Sequence, residues 1–91
     1  MKIYNYNNKS NVIGPQLKLV RKQRKLSQDI LAAKMQLQNI ELSQKVISRI
    51  EKQERFVSDY ELCAFAQVLN VDIYWLLGLS SDPKPFNNTD I

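Results

Sequence analysis

Five side chains in one short stretch of the sequence have the chemistry needed to read the edges of base pairs. On a helical wheel at about 100° per residue they fall within one arc of about 140°. These residues are Gln44, Lys45, Ser48, Arg49 and Lys52. Arg and Lys donate to O6 and N7 of guanine, and Gln pairs with N6 and N7 of adenine. A solvated helix face without a ligand has a similar composition. The neighbouring residues must therefore decide between a base-reading surface and an ordinary solvated face.

The same stretch is predicted to form a helix that is held by its other face. Val46, Ile47 and Ile50 lie opposite the polar arc, and Ser43 stands where an N-cap residue accepts hydrogen bonds from the first turn. A helix this short is not stable in isolation. It has to pack on other elements through its apolar face, which leaves the polar arc exposed.

A second short helix precedes this one. It opens with the cap residue Ser27 and extends to about Met35. Two short capped helices in sequence, of which the second carries the polar arc, favour a helix-turn-helix arrangement. The candidates for contacts with base edges are then Gln44, Lys45, Ser48 and Arg49.

Composition limits the class of protein. A chain of 91 residues has room for one domain, and two glycines with three prolines favour helices. There is no apolar run that could span a membrane and no signal-peptide pattern, so we expect a protein of the cytosol. One cysteine and no histidine exclude an intrachain disulfide and a Cys/His zinc site. We expect no metal, no cofactor and no enzymatic activity.

The charges are distributed unevenly along the chain. Residues 1–26 hold seven basic side chains and no acidic one, whereas residues 58–91 hold one basic and five acidic side chains. The basic half attracts a polyanion such as nucleic acid, and the acidic end does not.

The remaining segments supply the helices that position the polar arc. Helix 1 is predicted over residues 13–25, and helix 2 is predicted to continue by about one turn into the segment 36–42. The predicted buried residues of these segments are Leu17, Val20, Leu26, Ile30, Leu31, Met35, Leu37, Ile40 and Leu42.

The second half of the chain shows two further helix patterns. Ser58 and Glu61 form a capping box that opens helix 4, and Asn70 suits the left-handed position that ends it. Asp72 starts helix 5, which stops at Gly78. The predicted domain spans residues 12–79, with a flexible N-terminal arm over 1–11 and a flexible C-terminal tail over 80–91. The apolar groups of helix 5 could serve either core packing or a dimer contact.

An ordered set of motifs resembles the Cro and phage-repressor type of helix-turn-helix protein, the XRE family. The set comprises LSQ at 26–28, LA at 31–32, ISRIE at 47–51, DYEL at 59–62, LNV at 69–71 and WLLG at 75–78. The resemblance implies an all-α, five-helix, lambda-repressor-like domain. It also implies a sequence-specific regulator of transcription that binds double-stranded DNA, expected to be a repressor, in the cytosol or nucleoid of a bacterium. The connection between helices 2 and 3 is about five residues longer than the usual tight turn.

The resemblance also implies roles for individual residues. Arg21 would pair with Glu51 and join helix 1 to helix 3, and Gln28 would donate to a DNA phosphate at a helix N-terminus, where anions are favoured. The predicted phosphate contacts are Ser27, Gln28, Ser43, Lys52 and Arg55.

A single module of this kind contacts few bases, and each good bidentate contact is worth about 1–3 kcal/mol. We therefore expect a homodimer on two half-sites about one helical turn apart. The alternative function is an antitoxin-like or adaptor module that binds another protein with the same helices. Co-purification with a stoichiometric partner chain would favour that alternative.

Overall fold

The structure, a computed structural model, describes residues 6–86 of the chain. Its helices are α1 (Gly14–Gln23), α2 (Gln28–Gln36), α3 (Gln44–Glu51), α4 (Asp59–Leu69) and α5 (Ile73–Leu76). Within residues 6–86, strand-like pairing is confined to one isolated bridge between Tyr6 and Lys9. The predicted all-α class with five helices is confirmed.

Local hydrogen bonds explain where four of the helices begin. The hydroxyls of Ser27, Ser43 and Ser58 each accept a bond from the backbone N–H three residues later. The Asp72 carboxylate does the same at the start of α5. The Glu61 carboxylate in turn accepts a bond from the Ser58 N–H, which completes the predicted capping box. These helix starts therefore depend on residues close to one another in sequence.

A single core joins the helices, with Phe65 of α4 as its largest fully buried side chain. The other large fully buried side chains are Leu17, Val20, Leu31, Met35, Ile47, Ile50, Leu69, Val71 and Leu76. α3 packs against both α1 and α2. Because its apolar face is used in this core, its polar face remains at the surface.

The connection between α2 and α3 differs from the prediction. α2 ends at Gln36, because Asn39 adopts a left-handed conformation with φ of 62°. The N–H of Ile40 then bonds to the Met35 carbonyl at 3.2 Å, and this turn closes the helix. Helix 2 does not run on into residues 37–43. Ile40 and Leu42 nevertheless pack on the core as expected.

Two apolar side chains predicted to be buried lie at the surface instead. Ile30 is 49% exposed and Leu37 is 83% exposed. The core side of α2 is occupied by Leu31 and Met35, and Leu37 falls just beyond the end of the helix. α1 also ends earlier than predicted, because Lys25 has a positive φ of 60°.

The N-terminal segment is anchored where the sequence predicts a flexible arm. Tyr6 and Lys9 exchange two backbone hydrogen bonds across a tight turn. The Ser10 N–H then donates to the Gln53 carbonyl at 2.9 Å. The Asn11 side chain donates to the backbone carbonyls at Ile50 and Arg55. These bonds hold residues 10 and 11 against the C-terminal end of α3. Residues 1–5 of the predicted arm lie outside the described part of the chain.

The segment after α5 also returns to the domain. The Lys84 carbonyl accepts a bond from the Asp72 N–H at 2.8 Å, and the Phe86 N–H donates to the Asn70 side chain at 3.2 Å. Phe86 packs partly on the core. The first part of the predicted tail is therefore held at the junction of α4 and α5, and residues 87–91 lie outside the described residues.

Candidate nucleic-acid interface

The polar face of α3 forms one open surface. It is a shallow depression of about 570 Å³ lined by Gln44, Lys45, Ser48, Arg49 and Lys52. Ile47 and Ile50 on the opposite face are completely buried. All the side chains of the predicted polar arc thus line the same exposed depression, and the helix that carries them is fixed from behind.

A buried ion pair connects this helix to α1. Arg21 Nε lies 2.6 Å from Glu51 Oε2, and Nη2 donates to Oε1 at 3.1 Å. The third guanidinium nitrogen, Nη1, donates to the Leu26 carbonyl at 2.7 Å. The two side chains are only 9% and 3% exposed. A pair this buried is stabilising only when its remaining hydrogen bonds are satisfied, and these contacts meet that requirement.

The same carboxylate orients two amide side chains. Gln28 Nε2 donates to Glu51 Oε1 at 3.0 Å, and Gln44 Nε2 donates to Gln28 Oε1 at 2.5 Å. An ionised carboxylate only accepts hydrogen bonds. Gln28 must therefore turn its NH₂ group towards Glu51 and its oxygen towards Gln44, and Gln44 must present its own NH₂ group to Gln28.

This arrangement leaves Gln44 with the two groups that adenine recognition needs. Its amide has two N–H donors and one carbonyl oxygen, and Gln28 uses one donor. The remaining N–H can donate to adenine N7 while the oxygen accepts from N6. The hydrogen-bond series from Arg21 through Glu51 and Gln28 therefore sets the orientation of the first side chain of α3.

The two serine caps lie at the exposed starts of α2 and α3. Ser27 and Ser43 use their oxygens as acceptors for the first turns, so each hydroxyl hydrogen is directed elsewhere. Both are exposed, as is Lys52 at the other end of α3. Helix N-termini favour anions because their first N–H groups and the helix dipole point outwards.

Arg55 has a structural partner that the sequence analysis missed. Its Nη1 lies 2.7 Å from Glu61 Oε1 and donates to the Phe56 carbonyl at 2.8 Å. The guanidinium thus ties the loop after α3 to the capping box of α4. The sequence signal was the Glu61 carboxylate, which lies six residues after Arg55 and whose Oε1 accepts from both the Arg55 guanidinium and the Ser58 N–H. This contact gives Arg55 a structural role at the α3–α4 junction, and the expected phosphate contact of Arg55 stays a prediction.

A close contact between α1 and α3 was also not foreseen. A Cβ atom on Gly14 would lie 2.6 Å from the Ile50 carbonyl oxygen and 2.8 Å from the Glu51 carbonyl oxygen. The start of α1 can therefore approach the end of α3 only because residue 14 has no side chain. The Gly14 N–H donates to the Asn11 side chain at 2.9 Å, so Asn11 takes the place of a cap for α1.

Two features of other functional classes are not found in residues 6–86. No group of His, Cys, Asp and Glu side chains in this part of the chain is arranged to hold a metal ion. No helix among these residues has the length and apolar character needed to cross a membrane.

The fold and the exposed α3 face define a DNA-binding helix-turn-helix domain. The sequence model of the helix-turn-helix family matches residues 17–76, which include most of α1 and all of α2 to α5. The chain belongs to the Cro/C1-type helix-turn-helix family, the XRE family, whose fold is the lambda-repressor-like all-α fold. No curated protein and no solved structure matched the chain.

Proposed function

We propose that the protein is a sequence-specific regulator of transcription that binds double-stranded DNA and acts as a repressor. The observation that supports this most directly is the α3 surface, where Gln44, Lys45, Ser48 and Arg49 stand together with Gln44 already oriented by Gln28. A group held in place before binding loses less entropy when it binds. Domains of this family typically belong to transcriptional regulators.

In the proposed complex α3 enters the major groove. Arg49 and Lys45 donate to guanine edges, and Gln44 pairs with adenine. The start of α2, the start of α3 and Lys52 contact the sugar-phosphate backbone on either side, which fixes the register without reading sequence. The predicted phosphate contacts Ser27, Gln28, Ser43, Lys52 and Arg55 all belong to this proposal, and Arg55 also bonds to Glu61. A repressor of this kind would act by occupying a promoter, as a homodimer on two half-sites, in the bacterial cytosol or nucleoid and without catalysis.

The test is selection of duplexes from a random pool, followed by titration of the selected duplex. Arg49→Ala should weaken binding by about 5- to 150-fold, because one good base contact is worth about 1–3 kcal/mol. Arg24→Ala is the matched control. Arg24 is also an exposed arginine, but its guanidinium donates to the Leu69 and Asn70 carbonyls at the end of α4.

The expected result has two parts. Arg49→Ala should lose affinity and preference at one base position while its melting temperature stays near that of the wild type. Arg24→Ala should bind as the wild type does. The proposal is wrong if the wild-type chain shows no preference among duplexes at low ionic strength, or if Arg49→Ala binds the selected duplex as tightly as the wild type.

A further inference from the structure

The connection between α2 and α3 carries a carboxylate that has no role in the contacts described above. Glu41 is exposed, and within residues 6–86 its side chain forms no hydrogen bond and no ion pair. It lies in the segment that makes this connection longer than the usual tight turn. Since the family pattern does not account for this residue, its position has to be explained from the structure.

The chain on both sides of Glu41 is fixed to the core. Ile40 packs against the core and Leu42 is buried, whereas Glu41 and Ser43 are exposed. Alternation of this kind is typical of extended chain, in which residues two apart lie on the same side. Ser43 itself has an extended backbone, with ψ of 165°. Glu41 is therefore held on the same side of the connection as the N-cap residue of α3.

The surface around these residues agrees with that arrangement. Glu41 and Ser43 line one hollow of about 230 Å³, together with Gln36 and Leu42. The next residue, Gln44, is the first of those that line the polar surface of α3. The carboxylate thus stands in a hollow that adjoins the proposed base-reading surface at the N-terminal end of α3.

This end of α3 is the end that lies closest to the bases in the proposed complex, because the N-terminal residues of a recognition helix contact base edges. Two residues of extended chain span at most about 7 Å, and successive base pairs are about 3.4 Å apart. Glu41 therefore lies within about two base-pair steps of the base pair beside Ser43. A base edge next to the one assigned to Gln44 is within reach of its side chain.

The chemistry of a carboxylate selects one base at that position. An ionised carboxylate only accepts hydrogen bonds, and it is repelled by phosphates. In the major groove guanine and thymine present acceptor oxygens, and adenine places the N7 acceptor beside its N6 donor. Cytosine presents only the N4 amino group, which Glu accepts from. A carboxylate in this place therefore favours cytosine and opposes the other three bases.

We propose that Glu41 is a specificity-determining residue that accepts a hydrogen bond from N4 of a cytosine beside the base pair read by Gln44. This inference rests on the proposed function, because it requires α3 in the major groove. Specificity of this kind comes as much from the bases that are rejected as from the one that is bound. A competing role is stabilisation of the positive end of the α3 dipole, which would affect folding but not base preference.

Titration of the full chain against a set of duplexes tests the proposal. The set derives from the duplex selected by the wild type, with each of the four bases placed in turn at every position near the one that Gln44→Ala affects. The wild type should prefer cytosine at one position within about two base pairs, by about 5- to 150-fold, the usual cost of one wrong base pair. Glu41→Ala should lose that preference and bind the other three duplexes at least as tightly as the wild type.

A second variant at the same position makes the expected change more specific. Glu41→Gln keeps an acceptor oxygen and gains an NH₂ group, which together match N6 and N7 of adenine. It should therefore accept adenine as well as cytosine. A residue that acts only on the α3 dipole would give the same base preference in the wild type, Glu41→Ala and Glu41→Gln.

Glu54→Ala is the matched control. Glu54 is also an exposed carboxylate, but it lies beyond the C-terminal end of α3, so its removal changes the net charge equally and should leave the cytosine preference intact. Trp75 fluorescence and helical circular dichroism verify that each variant is folded.

The outcomes separate this inference from the proposed function. The inference is overturned if the wild type has no cytosine preference in this region, if Glu41→Ala and Glu41→Gln both keep that preference unchanged, or if Glu54→Ala loses it equally. In each of these cases selective binding by the wild type, with a loss in Arg49→Ala, leaves the proposed function standing. A wild type that shows no preference among duplexes defeats both.

Discussion

Replacing Arg21 with Met removes one half of the buried ion pair that joins α1 to α3. Glu51, whose side chain is 3% exposed, then loses both guanidinium hydrogen bonds and keeps the one from Gln28. Breaking a buried pair from one side costs about 3–5 kcal/mol, because a buried charge is left uncompensated. Small domains have free energies of unfolding of about 5–15 kcal/mol, so Arg21→Met should lose a large part of its stability.

The expected change is easily measured. At about 4–8 °C per kcal/mol for a domain of this size, the melting temperature should fall by at least about 12 °C. The chain has a single tryptophan, and Trp75 is only 7% exposed, so its fluorescence reports on the core. Urea unfolding followed by Trp75 fluorescence and by helical circular dichroism gives the free energy of unfolding, and agreement of the two signals tests whether unfolding is two-state.

A double variant separates the ion pair from the packing of the two side chains. In Arg21→Met with Glu51→Met neither charge remains, so the core should recover much of the lost stability. The reasoning fails if Arg21→Met unfolds within about 1 kcal/mol of the wild type, the range of ordinary surface changes. It also fails if the double variant is no more stable than Arg21→Met, because the loss would then come from packing and not from an isolated charge.

Three further predictions follow from the interface and its supports. Gln28→Ala should reduce discrimination at the base read by Gln44. In a double-mutant cycle with Gln44→Ala, the two losses of binding free energy should be non-additive by about 0.5–3 kcal/mol. Additive losses in duplex titrations would show that Gln28 does not orient Gln44. Gly14→Ala should destabilise the domain by about 1–3 kcal/mol through overpacking against α3, and an unchanged urea midpoint would contradict that close contact. Lys52→Ala should reduce the slope of log affinity against log salt concentration by about 1, whereas the main effect of Arg55→Ala should be a lower melting temperature. The reverse pattern would make Arg55 the main phosphate contact and Lys52 the structural residue.

The parts of the fold that were predicted correctly depend on neighbours in sequence. Ser27, Ser43 and Ser58 start helices because each hydroxyl bonds to an N–H three residues away. The two faces of α3 follow from its periodicity alone. The polar residues of that helix were therefore located from the sequence, and their contacts with DNA remain a prediction.

The residues that were assigned differently depend on contacts that local sequence patterns do not encode. Asn11 bonds to Arg55 across 44 residues, so residues 10 and 11 could not be separated from a flexible arm by local reasoning. Ile30 and Leu37 have the character of core residues, but the space on the core side of α2 is already filled by Leu31 and Met35. For Arg55, the sequence does not show whether its guanidinium is free or bonded to Glu61.

By itself, the sequence determined the helix starts, the apolar and polar faces of α3, the family and the unequal distribution of charge, since each of these rests on short-range patterns or on composition. Only the tertiary structure decided which polar side chains are left for a ligand. The fold places Glu51 between Arg21 and Gln28, which lie 30 and 23 residues away in the sequence. The Glu51 carboxylate can only accept hydrogen bonds. That long-range contact, which no periodicity encodes, orients Gln44 towards solvent.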